Sequence, residues 1–271
     1  IDSLNSNGIS CFNNLSDINI SNTIQDIGAG AFRYCGLVTV EIPSSITKIK
    51  ASVFSDNPLV EVTLHDAITE IGQQSFYRNQ NLTSIELPQS LITVGSYAFE
   101  GSGLTSIVIP DSVTEINSQS FNAYNLERVV LGKSVTTLGY RAFGFNNLKT
   151  LIIYSPLSDV DDQAFGRDYD LANNIEEIFL IEPADWYVGQ IGYFNRSSQF
   201  FNVCDESDYD EDGIINCLDD DSDNDGALNN VDAFPLDETE INDSDLDGVG
   251  DNLDVFPFNA DEYLDTDGDG V

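Results

Sequence analysis

A phenylalanine recurs through most of this chain at nearly constant spacing. Seven copies are separated by 22, 22, 23, 22, 22 and 22 residues, at Phe32, Phe54, Phe76, Phe99, Phe121, Phe143 and Phe165. A period of this length is typical of a solenoid, in which each repeat forms one coil and rests on the coils beside it. One coil cannot bury its own apolar side chains. The repeat therefore limits the fold to a stack of coils with a shared core.

The residues around each phenylalanine keep the same register. Apolar residues stand eight and five positions before it, and a small residue precedes it directly. An alternating apolar segment follows, such as Leu104, Ile107 and Ile109, and period-two alternation of β-branched residues predicts a strand. One strand per coil predicts a parallel sheet. A weaker first copy around Phe12 and a last copy with an insertion at 169–173 bring the predicted number of coils to eight.

Two stretches of the repeat carry a family resemblance. Residues 104–110 and 112–121 resemble BspA-type leucine-rich repeats, and the resemblance covers roughly residues 10–181. It implies a curved solenoid of the kind found in surface proteins that mediate attachment. It implies no catalytic site. Residues 182–203 lose the period and are rich in aromatic side chains, so we predict that they form a cap over the last coil.

The charge of the chain is concentrated near its end. The net charge is −37, and 25 of the 47 acidic residues lie in the last 71 residues, which contain no Lys or Arg. Such a block repels nucleic acid and anionic lipid, which are therefore poor partners. No run of about 18 apolar residues exists, so membrane insertion is not expected. Regular spacing of the acids favours metal binding over a disordered acidic tail.

The acids of the last segment follow the frame of a twelve-residue calcium loop, with oxygen ligands at positions 1, 3, 5, 9 and 12, a backbone carbonyl at position 7 and glycine at position 6. The first frame comprises Asp208, Asp210, Asp212, Ile214, Asn216 and Asp219. The second comprises Asp221, Asp223, Asp225, Ala227, Asn229 and Asp232, and the third Asp243, Asp245, Asp247, Val249, Asp251 and Asp254. A truncated fourth begins at Asp265, Asp267 and Asp269. Every ligand in these frames is a hard oxygen, with no thiolate or imidazole, and this favours calcium over zinc or copper. The repeated frames predict several Ca²⁺ ions.

These frames differ from EF-hands. Position 12 is Asp where that loop has a bidentate Glu, and Pro235 and Pro257 occupy positions where an exiting helix would run. With their Asp-x-Phe-Pro segments at 232–235 and 254–257, residues 205–271 resemble thrombospondin type-3 repeats. This resemblance implies an irregular chain wrapped around calcium ions, with little apolar core. We predict three segments: a solenoid over 1–181, a cap over 182–203 and calcium-binding repeats over 204–271.

The cysteines and the single histidine are assigned structural roles. Cys204 and Cys217 bracket the first loop, and a disulfide between them would contribute about 3 kcal/mol and imply an oxidising compartment. Cys11 and Cys35 are expected to be buried, with a bond between them left open. His65 replaces the turn proline of other coils, so we expect a surface turn residue. No catalytic residue is predicted, although residue counting leaves carboxylate-only catalysis open.

The outward position of the predicted strands changes character along the chain. It is polar in the first coils and apolar in the last four, at Val108, Val130, Ile152 and Phe179. We call these four residues the apolar stripe. An apolar stripe on an exposed sheet indicates a ligand-binding site. The alternative is that the cap or a neighbouring domain covers it.

These features together predict a non-enzymatic binding or adhesion module. The solenoid would recognise an extracellular protein or glycan, and the calcium repeats would form a stiff spacer toward adjoining domains of a larger chain, since both ends look like cuts. A secreted or surface-anchored bacterial protein is the expected setting. Two alternatives remain: a purely structural spacer, and an accessory region of a secreted hydrolase.

Overall fold

The chain folds into two compact units, residues 1–203 and 204–271. The computed structural model describes residues 3–4, 15–155, 157–161, 163–166, 177–181, 201–204, 207–229, 231–246 and 248–260. Within these ranges, no helix has the length and apolar character needed to cross a membrane. The insertion at 169–173, Phe12 and most of the predicted cap lie outside the described residues, whereas Leu15, Ile18 and Ile20 of the weaker first copy pack with the core.

The N-terminal unit is built from short strands on two faces of the coil. The first face carries the segments that follow the phenylalanines: β3 (Thr39–Glu41), β5 (Glu61–Thr63), β8 (Ser106–Ile109), β10 (Arg128–Leu131), β12 (Thr150–Ile153) and β14 (Glu177–Ile181). The second face carries the segments that precede them: β2 (Asp26–Ile27), β4 (Lys48–Ile49), β6 (Glu70–Ile71), β7 (Thr93–Val94), β9 (Glu115–Ile116), β11 (Thr137–Leu138) and β13 (Asp159–Val160). β1 (Ser3–Leu4) pairs with β2, and β15 (Phe201–Cys204) pairs with β14.

Most of the described coils therefore contribute two strands, whereas the sequence predicted one. The second face is a six-stranded sheet in the order β13-β11-β9-β7-β6-β4, and its strands pair in parallel. These strands are only two residues long, which is too short for a period-two pattern to be visible. The parallel solenoid itself is confirmed. On the first face, Val129 lies opposite both Ile107 and Leu151, each one coil away.

The core of the N-terminal unit is a column of stacked phenylalanine rings. Consecutive rings from Phe32 to Phe165 have centroids 5.2–5.7 Å apart and planes within 12° of parallel. The apolar columns beside them are also buried, as at Ile68, Leu104 and Val135. Because every coil repeats the same inward set, each ring is sandwiched by identical neighbours and the core is continuous.

The first face is interrupted at the one coil that has 23 residues. Residues 84–87, which align with the strands of the neighbouring coils, form no strand. As a result β3 and β5 form a two-stranded sheet, separate from the five-stranded sheet β15-β14-β12-β10-β8. The second face stays continuous, because the pairing of Ile71 with Val94 absorbs the extra residue. The extra residue of the 23-residue coil thus interrupts the strand pairing of the first face and leaves that of the second face continuous.

The C-terminal unit is irregular. Residues 207–229, 231–246 and 248–260 contain no helix or strand, and none of their large apolar side chains is buried; Leu246 and Phe258 are the most exposed. The buried side chains in these ranges are polar instead: Ser222, Asp223, Glu240 and Asp254. An apolar core cannot hold such a segment together, because burial of carboxylates opposes folding unless they are paired or bound to metal.

Candidate functional sites

The C-terminal unit brings the predicted loop carboxylates together. Ligand oxygens of Asp208, Asp210 and Asp212 lie within 4.8 Å of one another. The equivalent residues of the second loop, Asp221, Asp223 and Asp225, form a second group of the same kind. In the third loop Asp247 lies outside the described residues, as do Asp265, Asp267 and Asp269 of the truncated fourth loop.

Each loop is shaped by hydrogen bonds from its own backbone to its carboxylate oxygens. In the first loop the N–H of Gly213 donates to Asp208 Oδ2 at 3.0 Å, and the N–H of Ile214 donates to Asp212 Oδ1 at 2.7 Å. The second and third loops repeat the glycine bond, from Gly226 and Gly248. These three glycines have φ between 93° and 98°, which a side chain disfavours. This is why position 6 is glycine.

The second oxygen of most of these carboxylates is buried and has no hydrogen-bond partner. In the first loop these atoms are Asp208 Oδ1, Asp210 Oδ2 and Asp219 Oδ2. In the second loop they are Asp221 Oδ1, Asp225 Oδ2 and Asp232 Oδ2. Buried acceptors without partners are rare and costly, and each calls for a physical explanation. A set of hard anionic oxygens is the donor set that suits Ca²⁺.

The electrostatics of the first loop are also those of a cation site. Desolvation, together with the negative charges of Asp212 and Asp219, raises the pKa of Asp210. The last 71 residues supply no Lys, Arg or His to neutralise the cluster. The residues present therefore fit a divalent cation, whose charge would offset this repulsion.

Position 9 has a structural role that the sequence did not predict. The side-chain oxygens of Asn216, Asn229 and Asp251 each accept a hydrogen bond from the backbone N–H at position 2, at 2.8–2.9 Å. Asn229 also donates from Nδ2 to the carbonyl of Asp219. These side chains close the loop on itself. Their service as metal ligands stays a prediction, as does that of the position-7 carbonyls of Ile214, Ala227 and Val249.

One buried carboxylate lies outside the twelve-residue frames and was missed by the sequence analysis. Glu240 is only 2% exposed, and its Oε2 accepts a hydrogen bond from the N–H of Asn252 at 3.1 Å. It stands three residues before the third frame, and Glu262 stands at the same place before the truncated fourth frame. This recurrence, five residues after the proline of each Phe-Pro pair, is the signal that could have found it.

The cysteines are oxidised in this structure. Cys35 and Cys217 are both disulfide-bonded. The side chains of Cys11 and Cys204 lie outside the described residues, so the pairing of Cys204 with Cys217 stays a prediction.

The apolar stripe on the first face is not uniformly accessible. Val108 is 58% exposed, whereas Val130 and Phe179 are half-buried. Ile152 is 1% exposed although it does not belong to the hydrophobic core of the coils. The third residue of the stripe, Ile152, is therefore covered, and Val108 is the residue of the stripe that a ligand can reach.

A cavity opens at the interrupted coil, beside the exposed end of the stripe. Its volume is about 580 Å³, and its lining includes His65, Asp66, Glu86, Pro88, Val108 and Pro110. His65 Nδ1 accepts the N–H of Ala67 at 3.2 Å, so its Nε2 donates to the carbonyl of Pro43 at 2.9 Å. Both ring nitrogens are occupied in the turn, which is the role expected for this histidine.

The first face is acidic next to this cavity. Glu41 and Glu61 are exposed and line a second, smaller cavity of about 410 Å³ together with Asp17. The face therefore combines carboxylates at β3 and β5 with an apolar contact point at Val108.

The N-terminal unit matches a known family of repeats. A family described as the BspA type leucine rich repeat region matches the chain in six copies, over residues 1–60 and 47–172. A leucine-rich repeat protein from Bacteroides ovatus ATCC 8483, solved by crystallography, is similar over 75% of this chain and 75% of its own, with 16% sequence identity and a TM-score of 0.39. No curated protein matches the chain.

Proposed function

The chain belongs to the BspA-type leucine-rich repeat family, and we propose that it is a protein-binding module of a secreted or surface-exposed bacterial protein, with a C-terminal unit that folds around calcium ions. Repeats of this family generally mediate protein interactions, and the solenoid presents one exposed face of parallel strands. The disulfide-bonded Cys35 and Cys217 support an oxidising compartment.

One observation carries the binding proposal: the first face is broken at the 23-residue coil, beside the most exposed residue of the apolar stripe. A regular ladder offers a partner only a flat surface, whereas the break provides a recess of about 580 Å³. Val108 supplies the apolar contact, and Glu86 supplies a charge on the same lining. Concave sites with a few placed polar groups are the usual form of a recognition site.

The binding proposal is tested with a matched pair of variants in the full chain. Wild-type protein is first screened against an array of extracellular proteins in the presence of calcium. Val108→Asp places a charge at the recess and should weaken binding to each partner by at least about tenfold. Ile92→Asp is the control, because Ile92 is also apolar and exposed, at 48% against 58% for Val108, but precedes a strand of the second face.

The control decides the interpretation. Both variants should keep the wild-type melting temperature, because both side chains are exposed. Equal loss of binding in the two variants, or no loss in Val108→Asp, would show that the recess is not the site. A folded wild-type protein that binds nothing on the array would instead favour the structural-spacer alternative.

For the C-terminal unit, we propose that the three loops bind calcium and that the ions hold the unit in its fold. Support comes from the partnerless carboxylate oxygens of the first two loops and from the absence of buried apolar side chains within 207–229, 231–246 and 248–260. The residues that would hold ions are the loop aspartates, as in thrombospondin type-3 repeats. When bound, calcium supplies positive charge, and its binding free energy becomes folding free energy.

This role predicts a calcium-dependent size. Without metal, the acidic unit should expand, and calcium at about 10⁻⁴ to 10⁻³ M should compact it. Small-angle scattering of the full chain, with calcium and then with chelator, measures the change. Asp221→Asn should weaken the calcium response, because Asp221 has a buried partnerless oxygen. Asp220→Asn is the control, because its side chain is exposed. A radius of gyration that is the same with calcium and with chelator would overturn the proposal.

A further inference from the structure

We infer that Glu240 is an additional calcium ligand of the third loop, supplied from outside the twelve-residue frame. This inference rests on the proposed calcium binding and extends it to a residue that no loop motif includes. Glu240 is 2% exposed, and its Oε1 is buried without a hydrogen-bond partner. A buried carboxylate in this state needs a counter-charge, and residues 201–271 contain no cationic side chain.

The fold presses the Glu240 carboxylate against the third loop. Its Oε2 accepts the N–H of Asn252, at position 10 of that loop. A Cβ atom on Gly250, at position 8, would overlap the carboxylate group. The N–H of Asp254, at position 12, donates to the carbonyl of the same Gly250 at 2.9 Å. Glu240 and Asp254 are thus both in contact with the segment that ends the loop, Glu240 through Asn252 and Asp254 through Gly250.

The two carboxylates share one bonding pattern. Each has one oxygen engaged by a backbone N–H: Glu240 Oε2 by Asn252, and Asp254 Oδ1 by Phe256 at 2.7 Å. Each has its other oxygen buried and without a partner. The loop aspartates Asp208 and Asp221 show the same division. Glu240 therefore carries the signature of the loop ligands although it lies outside their frame.

The chemistry of position 12 explains why a further ligand is needed. A twelve-residue calcium loop that ends in Glu gains two oxygens from that residue. Asp254 is shorter, and the bond from Phe256 occupies one of its oxygens. It therefore has one oxygen left for an ion. Glu240 supplies a second anionic oxygen, so the third site regains the ligand oxygen that replacement of Glu by Asp removes.

A rigid turn holds Glu240 in this position. The N–H of Glu240 donates to the carbonyl of Asp237 at 2.9 Å, and Asn252 Nδ2 donates to the carbonyl of Thr239 at 2.6 Å. The N–H of Asp237 donates to Asp223 Oδ2, in the second loop, at 2.7 Å. The turn is fastened to both loops, which fixes the place of the Glu240 side chain in the folded unit.

Calcium binding to the full chain tests the inference. Affinity and the number of ions per chain are measured by isothermal titration calorimetry and by equilibrium dialysis with calcium analysis. Glu240→Gln should weaken one binding step by about tenfold or more, or remove one ion, and leave the other steps unchanged. Glu238→Gln is the matched control: it removes the same charge from the same turn, but Glu238 is exposed, and its binding should equal wild type.

A rescue variant separates ligation from folding. Glu240→Asp keeps the carboxylate on a shorter side chain, so it should recover part of the affinity that Glu240→Gln loses. The inference is overturned if Glu240→Gln binds calcium like wild type, or if Glu240→Asp binds no better than Glu240→Gln. If the wild-type protein itself binds no calcium, the proposed calcium binding fails together with the inference. Failure of the inference alone is recognised by a wild-type protein that binds calcium and a Glu240→Gln variant that binds it equally well.

Discussion

Asn57 stabilises the solenoid by satisfying the backbone of the preceding coil. Its Oδ1 accepts the N–H groups of Cys35, Gly36 and Leu37 at 2.8–3.1 Å. Its Nδ2 donates to three carbonyls at 2.8–3.2 Å, in Phe32, Phe54 and Ser55. Asn146 occupies the same column but accepts only one N–H, from Ala123, and donates to two carbonyls. The two positions differ mainly in the number of donors that depend on them.

This difference predicts unequal costs for the same substitution. Replacement by Ala leaves each dependent N–H unsatisfied, at about 1 kcal/mol each at the low end of the usual range. Asn57→Ala should therefore lower the free energy of unfolding by about 3 kcal/mol, and Asn146→Ala by about 1 kcal/mol. The expected gap is about 2 kcal/mol, which is well above the error of a matched comparison.

Urea unfolding of the full chain at fixed calcium concentration measures the gap. The described part of the C-terminal unit contains no helix or strand within 207–260, so far-UV circular dichroism reports on the strands of the solenoid. The slope of the unfolding curve should be the same in both variants. Equal destabilisation of Asn57→Ala and Asn146→Ala would refute the reasoning, because it would show that the number of satisfied donors does not set the cost.

Three further outcomes are expected. Phe121→Leu should destabilise the solenoid by about 1–3 kcal/mol in the same urea assay, because its ring stacks on two neighbours at 5.2 and 5.4 Å. Gly250→Ala should weaken calcium binding by about tenfold in a calcium titration, because its Cβ would displace Glu240. Burial raises the pKa of Glu100 from 4.5, so the folded chain holds this proton more tightly than the unfolded chain. This stabilising term is lost as pH rises through the raised pKa, so Glu100→Gln should be more stable than wild type at neutral pH and equal to it below pH 4.5 in pH-dependent unfolding.

The two units are stabilised by opposite kinds of burial. The solenoid buries phenylalanine and aliphatic columns, and its stability follows from the apolar area removed from water. The described part of the C-terminal unit buries Ser222, Asp223, Glu240 and Asp254. Under the proposed calcium binding, calcium concentration should change the second unit and leave the first intact.

The sequence determined the solenoid and the location of the carboxylate-rich loops. The phenylalanine period, the inward columns and the parallel pairing follow from one requirement, since every coil must bury the same positions against the next. The loops were visible because their carboxylates are close in sequence, and a twelve-residue frame states their spacing directly. In both cases the residues that meet in space are related by a fixed interval along the chain.

Only the tertiary structure decided the features that depend on pairing between distant segments. The extra residue of the 23-residue coil could have broken either face, and the pairing of Ile71 with Val94 shows that the second face was spared. The apolar stripe read as one surface, but Ile152 is covered and Val108 is not. Glu240 became a candidate ligand because a turn fastened to two loops buries it. Burial and the use of each oxygen depend on what packs around a residue, and no local pattern carries that information.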